Sequence, residues 1–87
     1  MKKEYQVKFT NAALKQLEYL PQEFASKVTL ALALIAQDPF IVGKKLHGER
    51  MNSYTYRVWP YRIVYEIRNE QVLVVVLKIA HRKDAYK

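Results

Sequence analysis

A histidine, an arginine and a tyrosine crowd together where an apolar strand runs out. Residues 72–77 read Val-Leu-Val-Val-Val-Leu, and the chain then leads into His81, Arg82, Lys83 and Tyr86. An imidazole moves protons near neutral pH, a guanidinium grips phosphate through a planar fork of donors, and a phenol stacks or donates a hydrogen bond. These groups suit chemistry at a phosphate, and Arg57 and Arg62 stand close by on the preceding segments. Metal chemistry has no comparable footing. Cysteine is absent, and His47 and His81 lie too far apart for a ligand pair. The expectation is a basic site that needs no metal or cofactor, with thiol nucleophiles and disulfides excluded.

The charge distribution points the same way. The net charge is +7, and residues 43–87 carry ten Lys or Arg against four Asp or Glu, while residues 1–42 carry five against four. A surface built for solubility mixes both signs along the chain, whereas this one gathers positive potential in one half. A polyanion, or an acidic protein, is the expected company. Eighty-seven residues make a single domain over 1–87, and a hydrophobic content of 51% is ample for one core. Met1-Lys2-Lys3-Glu4 opens without an apolar run, so neither a signal peptide nor a membrane span is expected, and a cytoplasmic location follows.

To bring those groups together the chain needs a sheet. Residues 4–9 alternate with Tyr5, Val7 and Phe9 on one face, which predicts a half-buried strand. Thr10 or Asn11 can cap a short helix carrying Ala13, Leu14, Leu17 and Leu20. Pro21 suits the first position of a second helix, whose stripe is Phe24, Val28, Ala31, Leu32 and Ile35. Leu30 and Leu34 widen that stripe toward the flank where the first helix is expected to pack. Asp38-Pro39 ends the helix. Residues 39–52 form a connector, and three strands follow over 54–59, 61–67 and 72–79, with short turns that imply an antiparallel meander. The predicted fold is α+β, ordered β-α-α-β-β-β, with a helical hairpin on one face of a curved, mainly antiparallel sheet.

Strand parity then sorts the side chains. Tyr54, Tyr56 and Val58 share one face of the second strand, opposite Thr55, Arg57 and Trp59. Tyr61, Ile63, Tyr65 and Ile67 share one face of the third, opposite Arg62, Val64, Glu66 and Arg68. The helices need the apolar faces, so Arg57 and Arg62 emerge on the uncovered side. On the last strand the even-numbered set Val72, Val74, Val76 and Lys78 extrapolates to Arg82. Three arginines therefore converge, with His81 and Tyr86 beside them and Glu66 as an ion-pair partner for one. Trp59 and Tyr86 can stack on bases. Lys44, Lys45, Lys78 and Lys83 complete a set suited to binding an RNA backbone, and His47 reads as an ordinary surface residue.

With these residues in view, the chain resembles the RelE/ParE superfamily of toxins from bacterial and archaeal toxin–antitoxin modules. The matching stretches are Lys45-Leu-His-Gly48, Tyr56-Arg-Val-Trp-Pro-Tyr-Arg-Ile-Val-Tyr-Glu-Ile67 and Val74-Val-Val-Leu-Lys-Ile-Ala-His-Arg-Lys-Asp-Ala-Tyr86. Element order and length fit as well, so the likeness spans essentially the whole chain. It implies a small α/β fold with a curved antiparallel sheet, a cognate antitoxin, and, for the RelE branch, cleavage of mRNA in the ribosomal decoding site. Carried over by position, Arg57, Arg62, Arg82 and Tyr86 fall on the family's functional basic and aromatic places, with His81 alongside. Trp59 departs from the pattern, which has a basic residue there.

The reaction this implies is attack of a ribose 2′-hydroxyl on the adjacent phosphate. It leaves a 2′,3′-cyclic phosphate and a 5′-hydroxyl, and needs a proton acceptor, a proton donor and cations for the developing charge. In that scheme Arg62 and Arg82 hold the scissile phosphate, Arg57 neutralises the backbone, His81 transfers a proton and Tyr86 orients the nucleotide or assists the transfer. The ParE branch shares the scaffold and acts on DNA gyrase, so a gyrase-directed toxin stays open as a second reading. A basic RNA- or protein-binding module without catalysis is a third. The chain is expected as a monomer or within a toxin–antitoxin hetero-oligomer.

Overall fold

The computed structural model describes residues 4–46 and 53–82. The chain begins with strand β1, Gln6–Phe9, then helices α1, Asn11–Tyr19, and α2, Gln22–Gln37. A short helix α3, Pro39–Val42, and a two-residue strand β2, Lys44–Lys45, follow. Strands β3, Ser53–Val58, β4, Tyr61–Arg68, and β5, Leu73–His81, complete the sheet. The spatial order is β1-β5-β4-β3-β2, antiparallel except where β1 lies parallel to β5. The connector thus holds a helical turn and an edge strand that its sequence did not announce, because four- and two-residue elements are too short to show a period.

Local chemistry explains the boundaries. Thr10 caps α1: its hydroxyl accepts from the Ala13 N–H at 3.1 Å and donates to the Leu77 carbonyl at 2.8 Å, so one side chain starts the helix and ties it to β5. Gln16 continues that link, its side-chain oxygen accepting from the Ile79 N–H at 2.7 Å. These bonds occupy β5 beyond Phe9, where β1 no longer pairs with it. Pro21 stands immediately before α2 rather than inside it, and its carbonyl accepts from Phe24 and Ala25. Proline 39 does stand inside α3, at its first position.

The core lies between the helices and one sheet face. Val28, Ala31, Leu32 and Ile35 of α2 meet Ile63, Tyr65 and Ile67 of β4 and Val74, Val76 and Ile79 of β5. Leu30 and Leu34 do not join them: they are 69% and 45% exposed, because α1 lies against β5 rather than along that flank of α2. At the centre Tyr65 is fully buried, stacks on Tyr54, and donates its hydroxyl to the Pro39 carbonyl at 2.7 Å. A methyl group at Gly43 would collide with that hydroxyl, so glycine is required there for space. Burial pushes the Tyr65 phenol well above the usual tyrosine range, so it stays neutral.

The last strand departs from simple alternation. Its partners along β4 run Val64↔Lys78 and then Tyr65↔Val76, so Leu77 is an extra residue, a β-bulge. Val74 and Val76 are buried in the core, whereas Lys78 is exposed. The even-numbered residues therefore do not share one face, contrary to the parity extrapolation. Val72 lies outside the strand and adopts φ 50, ψ 50, closing the turn through a bond from its N–H to the Asn69 carbonyl. That left-handed backbone is unfavourable for a β-branched residue.

Candidate functional site

Residues paired directly across neighbouring strands share a face, with Cβ atoms about 4.5–5.5 Å apart. The register therefore assembles the face turned away from the helices. Arg57 is opposite Arg62, and Arg62 is opposite Ala80. One row further in, Lys44 is opposite Thr55, Thr55 opposite Val64, and Val64 opposite Lys78. Arginines thus stand side by side in one row, and lysines terminate the next. Arg57, Lys44 and Lys78 are exposed, and Arg62 is half-buried. Ala80, which is buried, sets only a methyl group beside the Arg62 stem.

Arg82 extends this basic face beyond the end of β5. Its N–H donates to the Pro60 carbonyl at 2.7 Å, and its guanidinium carbon lies 5.0 Å from the centre of the Trp59 ring. That distance is within cation–π range. Trp59 opens the two-residue turn joining β3 to β4, two positions after Arg57. The bulge brings Arg82 to this end of the face, restoring by one extra residue the placement that uninterrupted alternation would have reversed. Arginine 57, Arg62, Arg82, Trp59, Lys44 and Lys78 therefore lie on one side of the sheet.

Three expected members are arranged differently. His81 pairs with Tyr61 and meets its ring edge-on at 5.4 Å, while Tyr61 in turn packs edge-on against Phe24 of α2. The imidazole is thus on the helix-covered side, across the sheet from Arg62, at the rim of a cavity of about 550 Å³ shared with Lys15, Gln16 and Tyr19. Lys45, opposite Tyr54, also faces that side at the sheet edge. Glu66 binds Arg68 at 2.8 Å rather than one of the three converging arginines. It lies four residues along β4 from Arg62, whereas Arg68 is its next neighbour on the same face. Tyr86, Lys83 and His47 lie outside the described residues.

Two features of the open face escaped the sequence reading. The hydroxyls of Ser53 and Thr55 are buried and have no hydrogen-bond partner among the described residues. Thr55 sits between Lys44 and Val64, one row from the arginine pair, so it is a polar atom at the floor of the basic face. Its alternation with Arg57 was visible, but its burial was not. Lys8 of β1, opposite Val75, adds a further basic side chain to this face, and only the parallel pairing with β5 places it there. Among the described residues, no group of three or more His, Asp or Glu could hold a metal ion.

Comparison with known proteins agrees with this architecture. Residues 7–86 match the family described as the ParE toxin of type II toxin–antitoxin systems, parDE. Toxin RelG of Mycobacterium tuberculosis is 36% identical over 84 residues, which cover 95% of this chain and 97% of the relative. The toxin–antitoxin complex RelBE2 from the same organism superposes with a TM-score of 0.81 at 34% identity, covering 91% of this chain and 92% of the matched chain. The intact Escherichia coli RelBE toxin–antitoxin complex superposes with a TM-score of 0.80 at 26% identity, covering 88% and 95%.

Proposed function

The chain belongs to the ParE toxin family of type II toxin–antitoxin systems, within the RelE/ParE superfamily, and from that premise we propose that it is an mRNA endoribonuclease acting on the ribosome. The observation that carries the proposal is the in-register pairing of Arg57 with Arg62. Like charges set directly opposite each other oppose folding. An RNA phosphate lying between two guanidiniums turns that repulsion into binding, through charge-assisted and often bidentate hydrogen bonds.

In this reading Arg62 and Arg82 hold the scissile phosphate while the neighbouring 2′-hydroxyl attacks it, and they neutralise the charge that develops. Arg57, Lys44, Lys45, Lys78 and Lys83 follow the backbone on either side, and Trp59 meets a base. His81 and Tyr86 carry the proton transfers. His81 stands in the last residue pair of the sheet, one residue from Arg82. A phosphate held at the rim, with Arg82 beside it and Arg62 reaching it from the adjacent row, can therefore approach the imidazole round the strand end, whereas one seated deeper on the arginine row would have the sheet in between. Translation stops when the message is cut, which places the action in the cytoplasm.

The two solved structures described above are toxin–antitoxin complexes. We assign this chain a cognate antitoxin as well, whose acidic segment covers the basic face within a hetero-oligomer. Mapping RNA ends after brief expression tests the whole reading. New 5′-hydroxyl ends inside translated messages, and a need for ribosomes with purified components, are expected. Intact messages alongside gyrase-trapped DNA breaks would instead assign the same arginines to a gyrase-directed toxin. RNA that is bound but never cut would leave a binding module.

A further inference from the structure

We infer that Trp59 is a specificity-determining residue: its indole carries Arg82 on one face and receives a purine base of the substrate on the other. The inference rests on the reading of the open face as RNA-directed, and names what that face selects. Trp59 is 59% exposed although it is the largest side chain in the protein, so it is not an anchor of the core. Its ordered neighbour is a cation, the Arg82 guanidinium at 5.0 Å. The backbone bond from Arg82 to Pro60 holds the two residues together at the turn, so the stack does not depend on the flexible arginine stem alone.

Two consequences follow from this geometry. A guanidinium lying over one face draws on the ring's negative quadrupole, and the opposite face then favours an electron-rich partner of large area. A purine meets that description better than a pyrimidine. Trp59 also lies two residues past Arg57 along the chain, a step of roughly 7 Å in strand geometry, which is about the reach of one nucleotide. A base stacked on the indole thus sets its own phosphate toward the arginine row and holds Arg82 at the same junction. Base choice and placement of the guanidinium become one event.

Trp59 is the sole tryptophan of the chain, so its fluorescence reports on this site alone. Purified protein titrated with short oligoadenylate should lose indole emission as the RNA binds, with binding followed separately by the anisotropy of a labelled oligonucleotide. Oligouridylate should bind more weakly and quench less. Trp59→Leu should weaken oligoadenylate binding roughly five- to 150-fold and remove the preference over oligouridylate, whereas Trp59→Phe should keep part of it. In the free protein Arg82→Ala should shift the emission to the red by uncovering the ring. RNA that binds without changing the indole emission, or a Leu variant that keeps the purine preference, overturns the role of Trp59 and leaves the RNA-directed face standing. Failure of both RNAs to bind overturns this inference, while the mapping of RNA ends after expression decides the RNA-directed face separately.

Discussion

The two faces of the β3–β4 hairpin are made by alternate residues of the same short segments, yet they obey opposite rules. On the side turned to the helices, Ile63, Tyr65 and Ile67 are buried against α2, and the single polar group among them, the Tyr65 hydroxyl, is bonded to the Pro39 carbonyl. On the other side Arg57 faces Arg62, and the Thr55 hydroxyl is buried without a partner among the described residues. One face is closed over by the helices. The other gathers guanidiniums and hydroxyls whose chemistry suits an anion, which is the pattern of a site built for function. Arg62 and Ile63 are adjacent, so the sheet keeps the two demands apart by nothing more than its pleat.

Substitutions on the two faces should therefore separate into two kinds. The largest effect is expected on the covered side, where Ile63→Ala should lower stability by about 2–5 kcal/mol in denaturant unfolding, with activity following the folded fraction. Next comes Arg62→Gln, which should slow RNA cleavage a hundredfold or more, roughly 3–4 kcal/mol of transition-state stabilisation, while the protein stays folded by circular dichroism. A variant that unfolded instead would place Arg62 among the structural residues and erase the distinction.

Tyr65→Phe probes the buried hydrogen bond at the centre of the core. It should cost about 1–3 kcal/mol by leaving the Pro39 carbonyl without its donor. Because burial raises the Tyr65 pKa, the native state holds a proton that the unfolded chain releases near pH 10. That contribution is complete below this pH and falls away as the pH climbs above it, so the wild type should lose stability there and the Phe variant should lack that slope. The smallest effect has the opposite sign. Arg57→Gln should raise stability by roughly 0.2–1 kcal/mol by removing a like-charge pair, measured as a shift in unfolding midpoint, while weakening RNA binding.

Much of the fold was legible because its signals are local and periodic. The alternation around Tyr61 and Ile67 showed which face is covered, the stripe from Phe24 to Ile35 marked α2, and Thr10 stood where a cap was needed. The parallel docking of β1 beside β5 is a contact between the two ends of the chain, and no local pattern encodes it. The bulge was hidden for a different reason. In a run apolar at every position, either parity reads the same, so an extra residue leaves no trace. That is why Arg82 was placed on the right face by an argument that fails at Leu77. The misplacing of His81 beside the arginines owes nothing to the bulge: as the immediate neighbour of Arg82 it must point the other way, toward the helices, and nearness in sequence is not nearness on a face. The arginine pair of β3 and β4 was legible in full, because the aromatic and aliphatic residues of one face alternate with a mainly polar set on the other, Val64 being the one exception.

The extra residue at Leu77 behaves like a phase shift in a two-letter code. Upstream of it, even-numbered side chains of β5 read into the core; downstream, they read out to the basic face. Straightening the bulge, with Leu77 taken into the ladder, would leave composition and length unchanged and yet exchange the addresses of everything that follows, sending Arg82 toward the helices and His81 toward the arginines; deleting Leu77 would remove the bulge and keep those addresses. A chain of this architecture can therefore swap a guanidinium for an imidazole at its working surface by changing register rather than chemistry. Two relatives with the same terminal residues, one bulged and one regular over a strand of equal length, would present different reagents to the same RNA.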